Sequence, residues 1–288
     1  MERNEVEVRG IEDEEILGEQ QLINSCLNRN VDKVIKLLQN PFLDINWQNR
    51  NEETSFYIAC QKGYLEIAKL LLNDNRVDVN KVSCDYDTDS DGEYHYDDDV
   101  NGRTPFWIAC ENGHIEIVKL LLNDQRVDVN YGYDPQKCYG SDNFVEYKTP
   151  FYIACEKGYS EIVKLLLSEE RIDINKGNGH RGTPFNIACR KGRIEVVKLL
   201  LNDERIDLND YGGFKSWSFW IACRKGHLGI VKLLLNDERI DLNKADHNGW
   251  TPINIACRKG HIEIVKLLLN DERIDINKAN KQHQTPIN

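Results

Sequence analysis

Thr183-Pro184-Phe185-Asn186-Ile187-Ala188-Cys189 decides the reading of the chain, because the same seven-residue pattern returns several times. It recurs as Thr251-Pro252-Ile253-Asn254-Ile255-Ala256-Cys257, as Thr149-Pro150-Phe151-Tyr152-Ile153-Ala154-Cys155 and as Thr104-Pro105-Phe106-Trp107-Ile108-Ala109-Cys110. Looser copies begin at Gln20, Thr54 and Trp217. The basic spacing is 34 residues, with longer steps of 50 residues from Thr54 to Thr104 and 45 from Thr104 to Thr149. A fixed period of this size marks an array of stacked units rather than one enlarging core.

Working outward from Thr183, each unit reads as two antiparallel helices and an extended finger. Thr183 is a good N-cap, and Pro184 occupies the first helical position, where an N–H has no partner to lose. Phe185, Ile187, Ala188 and Cys189 supply the buried part of the first helix. Gly192 ends it, since a left-handed residue beyond a helix end is cheapest as glycine. In the second helix Ile194, Val197, Leu200 and Leu201 form the expected apolar stripe. Glu195 and Lys198 fall opposite it as an i, i+3 pair. Arg205 to Asn209 reads as extended chain leading into the next finger.

These residues resemble the ankyrin repeat. Gly249-Trp250-Thr251-Pro252, Gly260-His261 and Ile264-Val265-Lys266-Leu267-Leu268-Leu269 match its hallmark, and the resemblance covers about residue 20 to the end. Two features depart from the family pattern. Tyr, Trp or Asn stands where the family has the histidine of Thr-Pro-Leu-His, and Asp203 to Ile206 lengthen the usual Gly-Ala that follows the second helix. The resemblance implies an all-α repeat solenoid of helix-turn-helix units with β-hairpin or finger loops. The implied organisation is an acidic segment over 1–19, a capping repeat over 20–53 and ankyrin repeats over 54–284. The repeats carry insertions at about 81–98 and 131–147, and residues 285–288 start an incomplete repeat. Lys33 and Lys36 replace apolar residues of later units, as the outer face of a capping repeat requires. No such cap is seen after the last full repeat, which predicts partial exposure around Ile253, Ile264 and Leu267 and makes the chain read as a fragment or a truncated product.

Composition narrows the function. The formal charge of −11 argues against a general nucleic-acid binder. It is unevenly spread, with a net −15 over residues 1–150 and +4 over residues 151–288. No apolar run approaches a membrane span, and the acidic N-terminus lacks the apolar core of a secretory signal. Of nine cysteines, Cys26, Cys60, Cys110, Cys155, Cys189, Cys223 and Cys257 share one repeat position. Stacked helices lie about 8–10 Å apart, and a disulfide needs Cα atoms closer than about 7 Å. The seven therefore read as small buried side chains in a reducing cytoplasm, with the nucleus as the alternative.

There is no Gly-rich phosphate loop, no Gly-x-Ser-x-Gly and no His-Glu-x-x-His, so no enzyme is read here and no cofactor. His114, His227 and His261 recur with the repeat and read as structural. The resemblance implies a protein partner held by a monomeric array, on the concave face of finger tips and first-helix surfaces. Carried over by position, that face holds the basic pairs Arg190 and Lys191, Arg224 and Lys225, and Arg258 and Lys259. Beside them stand His180, Arg181, Phe214, Lys215, His247, Asn248 and Trp250. Arg and Trp are types that often dominate binding energy; the competing reading is an ordinary solvated surface. Tyr57, Trp107, Tyr152 and Trp220 share a first-helix position and are expected to pack against the fingers rather than grip a partner.

Two other readings stay open at this stage. The chain could be the recruiting region of a larger enzyme or ubiquitin-ligase assembly. It could also be calcium-responsive, because Asp87, Asp89, Asp91, Gly92, Glu93 and Asp98 follow the order of an EF-hand loop, with Asp where the last Glu is usual. The opposing reading is an acidic loop held open by self-repulsion. The second insertion differs, carrying Tyr131, Tyr133, Tyr139, Phe144 and Tyr147 with little charge.

Overall fold

Helix starts follow the threonines. In the computed structural model the hydroxyl oxygens of Thr54, Thr104, Thr149, Thr183 and Thr251 accept the amide N–H of Tyr57, Trp107, Tyr152, Asn186 and Asn254. Each replaces one helix-terminal partner that the backbone lacks. Pro105, Pro150, Pro184 and Pro252 fill the first turn of their helices. Trp217 stands where the others have Thr, and its helix has no side-chain cap.

The structure describes residues 18–83, 102–133, 147–178, 182–208 and 217–286. Among them the elements are short helices, mostly of 8 residues, arranged in pairs. The first pair is α1, described over residues 18–27, and α2 (Val31–Leu38). It is followed by α3 (Ser55–Lys62) and α4 (Leu65–Leu72), then α5 (Pro105–Asn112) and α6 (Ile115–Leu122). Further pairs are α7 (Pro150–Lys157) with α8 (Ser160–Leu167) and α9 (Pro184–Lys191) with α10 (Ile194–Leu201). The last are α11 (Ser218–Lys225) with α12 (Leu228–Leu235) and α13 (Pro252–Lys259) with α14 (Ile262–Leu269). Helical backbone is in place by Gly18, ahead of the boundary that the repeat register suggests at residue 20.

The chain divides into two compact units, Met1–Gly140 and Ser141–Asn288. In the first, α3 packs on α5 and α2 and α6 flank α4. In the second, α7, α9, α11 and α13 stack in order, and α8, α10, α12 and α14 stack behind them. Each unit is thus an all-α repeat solenoid. Lys33 and Lys36 are exposed on α2, as a capping repeat requires.

The core is built from equivalent positions. Phe185, Ile187, Ala188 and Cys189 on α9, with Val196, Val197 and Leu200 on α10, are all buried. Burying each of the larger ones contributes about 1.5–3 kcal/mol. The second-helix stripe is therefore set one step differently from the expected one: Val196 is buried, whereas Ile194 is 37 % exposed. The helix is covered on two sides, so adjacent positions 196 and 197 both face inward. Ile194, at its start, leans on the Gly229 backbone of the next repeat, where an added Cβ would lie 2.7 Å from its Cδ1. Tyr57, Trp107, Tyr152 and Trp220 are buried, which fits packing rather than a gripping stripe.

At the last repeat the expected exposure is misplaced. Ile253 and Ile264 are buried and Leu267 is half-buried, while Ile262 is 65 % and Leu269 49 % exposed. The final finger is the reason. Asn254 Nδ2 donates to the carbonyls of Lys278 and Gln284, and the Lys281 amide donates to Asn248 O, so residues 278–286 close over α13.

Within each unit, three ladders of hydrogen bonds tie successive repeats together. Gly192 has φ +73°, and the imidazole of His227 lies over it with Nε2 3.1 Å from Arg190 O. His261 meets Arg224 O and His114 meets Gln61 O in the same way, with Arg193 Nε donating to Glu156 O at one of the sites that lack a histidine. These histidines are structural, as their recurrence implies.

The second ladder comes from the Asp-x-Arg segment, where residues 204–205 form a turn rather than extended chain. Arg205 clasps Asp203 and donates through Nη2 to Leu167 O at the end of α8, at 2.7 Å. Arg76, Arg126, Arg239 and Arg273 reach Leu38 O, Leu72 O, Leu201 O and Leu235 O likewise. Each arginine thus places positive charge on the carbonyl end of the preceding second helix. The third ladder is made by asparagines: Asn175 Nδ2 donates to Arg205 O and its Oδ1 accepts from Asp207 N, and Asn46, Asn80 and Asn243 repeat the pattern.

Candidate functional site

The first helices end in pairs of polar residues at the base of the fingers. At three repeats the residue just before the N-cap lies beside the residue eight positions later, immediately after the shared cysteine. Gln61 Nε2 donates to Glu53 Oε1, Arg103 pairs with Glu111 at 3.8 Å, and Lys148 pairs with Glu156 at 3.1 Å. Finger base and helix end therefore share one surface, and at these three repeats it satisfies itself.

Glu156 is the tightest case. It is 8 % exposed and lies between Lys148 and Lys191, the latter at 3.4 Å from Oε1. Burial pushes its carboxyl up, but the two ammonium groups outweigh that and hold it below the usual carboxylate range. Lys191, predicted as part of an open basic ladder, is thus partly neutralised, and Arg190 is half-buried.

The next two repeats differ. Position 250 is Trp, and the guanidinium of Arg258 sits 4.8 Å from the centre of its ring system. Arg224 lies 5.5 Å over Trp220, whose Nε1 donates to Trp250 O at 2.8 Å. Lys244 stands 4.6 Å over Trp217. Asp246 fixes this finger by accepting from the amides of Asn248 and Trp250, with Gly249 at φ +80° completing the turn. Arg224, Lys225, Arg258 and Lys259 are exposed, and among the described residues no carboxylate lies within ion-pair distance of them. His247 and Asn248 are exposed on the same finger, with Asn248 Nδ2 3.1 Å from His247 Nε2. The structure so brings Arg224, Trp250 and Arg258 together.

His180, Arg181, Phe214 and Lys215 lie outside the described residues, as do the proposed calcium ligands Asp87, Asp89, Asp91, Glu93 and Asp98. Among the described residues there is no group of three or more His, Cys, Asp or Glu side chains placed to hold a metal, and no helix is long and apolar enough to cross a membrane. Sequence reasoning did not find the contact between the residue before the N-cap and the residue eight positions later. Its signal was the succession Glu53/Gln61, Arg103/Glu111 and Lys148/Glu156 at one fixed spacing.

Short helices in pairs, with a left-handed glycine closing each first helix from α3 to α13, define a helical repeat protein. The family model for ankyrin repeats, in three copies, matches residues 5–83, 22–133, 131–211 and 218–287, and the chain belongs to the ankyrin-repeat family. Ankyrin repeats generally mediate protein–protein interaction and are typically non-catalytic. No curated protein matches the chain.

Proposed function

We propose that this chain is a non-catalytic scaffold that binds a protein partner on the finger and first-helix surface of its second unit, centred on Arg224, Lys225, Trp250, Arg258 and Lys259. The observation that carries the reading is the stacking of two exposed guanidinium groups on indole rings, on neighbouring repeats, with no carboxylate in reach among the described residues. Arg and Trp in a pre-formed surface are the residues that most often supply binding energy. Burial of the repeat cysteines as free thiols supports a reducing compartment, cytoplasm or nucleus.

Affinity capture from cells with mass spectrometry tests this, using the native chain beside a variant with Arg224, Lys225, Arg258 and Lys259 changed to Ser. Partners recovered by the native chain and lost by the variant are the expected result. An unchanged set of partners would overturn the assignment of the site.

A further inference from the structure

The pairing across eight residues holds at three repeats and is not repeated in the three that follow, whose positions carry Gly182 and Arg190, Ser216 and Arg224, and Trp250 and Arg258. Where the residue after the cysteine is Glu111 or Glu156, the finger base supplies Arg103 or Lys148. Where it is Arg224 or Arg258, the finger-base positions hold Ser216 and Trp250, neither of which is an acid. The position eight residues before the cation thus supplies no counter-ion, and among the described residues no carboxylate pairs with Arg224 or Arg258.

The stacking decides what such a cation can still do. A guanidinium held over an indole can still offer its N–H groups, the part that grips a carboxylate in a two-pronged fashion. Neither Arg224 nor Arg258 donates a side-chain hydrogen bond among the described residues. Both are thus positioned donors awaiting an acceptor, and Lys225 and Lys259 add charge beside them.

Spacing follows from the stack. α11 packs on α13, so equivalent side chains on the two helices stand about 8–10 Å apart. An extended peptide in the polyproline II form has three residues per turn and advances about 3.1 Å per residue, so residues three apart face the same side about 9 Å apart, matching the step from one arginine to the next. Resting on the binding surface proposed above, we infer that the partner presents an extended acidic segment with carboxylates at every third residue, one for Arg224 and the next for Arg258. A nucleic acid fits less well: the chain carries a net charge of −11, and phosphate binding at physiological salt needs many cations acting together.

The test is fluorescence anisotropy with the full chain and two labelled peptides of equal composition. One has glutamate at every third position with serine between, and the other has the same glutamates in one block. The periodic peptide is expected to bind about fivefold to tenfold more tightly, the size of two exposed ion pairs. Arg224→Gln and Arg258→Gln should each remove that preference. An Arg224→Glu, Arg258→Glu double variant should transfer it to the peptide with lysine at every third position. Equal affinity for the two glutamate peptides would overturn the inference, as would a preference surviving Arg258→Gln or tighter binding of a single-stranded oligonucleotide. If the capture experiment still shows partners lost by the Ser variant, the surface stands and only the acidic periodicity falls. If capture shows no loss, both fall.

Discussion

Removal of one arginine from the helix-end ladder tests how the repeats are held. Arg205 Nη2 donates to Leu167 O at 2.7 Å and clasps Asp203 through Nε at 2.9 Å and Nη2 at 2.6 Å. Its side chain is half exposed, so the pair with Asp203 is screened and contributes little, about 0–1 kcal/mol. The bond to the helix end is the larger share: about 0.5–1.5 kcal/mol for the hydrogen bond and about 0.3–1 kcal/mol for positive charge at the carbonyl end of α8. Arg205→Ala should therefore lower the unfolding free energy of the second unit by about 1–2 kcal/mol. Arg205→Lys keeps the charge but not the fork, and should recover about half. The assay is urea unfolding followed through Trp217, Trp220 and Trp250, all in that unit, at low salt and at about 1 M salt, where surface Coulomb terms are screened within about 3 Å. A loss that persists in high salt is expected. A loss that vanishes there would show that the arginine serves only the Asp203 pair, and the ladder would have no structural role.

Other perturbations separate the remaining contributions. Gly192 and Gly260 share a left-handed backbone, φ +73° and +72°, but an alanine Cβ at 192 would lie 2.9 Å from His227 Cε1 while at 260 it meets nothing. Gly260→Ala should cost about 1–2 kcal/mol by conformation alone, and Gly192→Ala should cost more in urea unfolding; equal losses would dismiss the histidine roof. Under native alkylation with mass-spectrometric readout, Cys257 should react first of the seven repeat cysteines, since it is half-buried while the others are buried and burial pushes Cys26 up to about 12; faster labelling of Cys189 or Cys223 would contradict the packing. Glu156 has a depressed carboxyl, so its contribution is present above the unfolded value of about 4.3 and is lost as pH falls through its lower folded value. Glu156→Gln should flatten that part of the stability–pH profile, and an unchanged profile would show that Lys148 and Lys191 do not hold it.

Legibility divided along physical lines. Thr183, Pro184 and Gly192 could be read directly because caps act within one turn and each residue type has one local use. The buried cysteines and the structural histidines followed from recurrence. Ile194 was misjudged because periodicity on one helix does not say from how many sides it is covered. Arg205 was seen only as part of a lengthened loop, although Asp-x-Arg returns at 74/76, 124/126, 203/205, 237/239 and 271/273. Its partner, Leu167 O, is a backbone atom 38 residues away, and no side-chain pattern marks a carbonyl. The basic pairs at 224/225 and 258/259 were legible as charges. The contact of Arg258 with Trp250 was not, since it joins a finger to a first helix at a spacing of eight that belongs to no regular element, whereas Arg224 and Trp220 are an i, i+4 pair on α11 that helix periodicity could have shown.

The two kinds of interaction fall on different atoms, and that separation lets one array carry a specific surface. The ladders end on backbone acceptors, Leu167 O, Arg190 O and Arg205 O among them, so they depend on where the chain runs and not on which side chains the finger bases carry. The position before the N-cap accordingly holds Glu53, Arg103, Lys148, Gly182, Ser216 and Trp250 in successive repeats, while the glycine closing each of those first helices never varies within the chain. Trp250 with Arg258, in place of the Lys148 and Glu156 type, gives an exposed cation with no paired carboxylate among the described residues, with the three ladders left in place. On the proposed function, the binding character of the last repeats therefore rests on side chains that the ladders do not use.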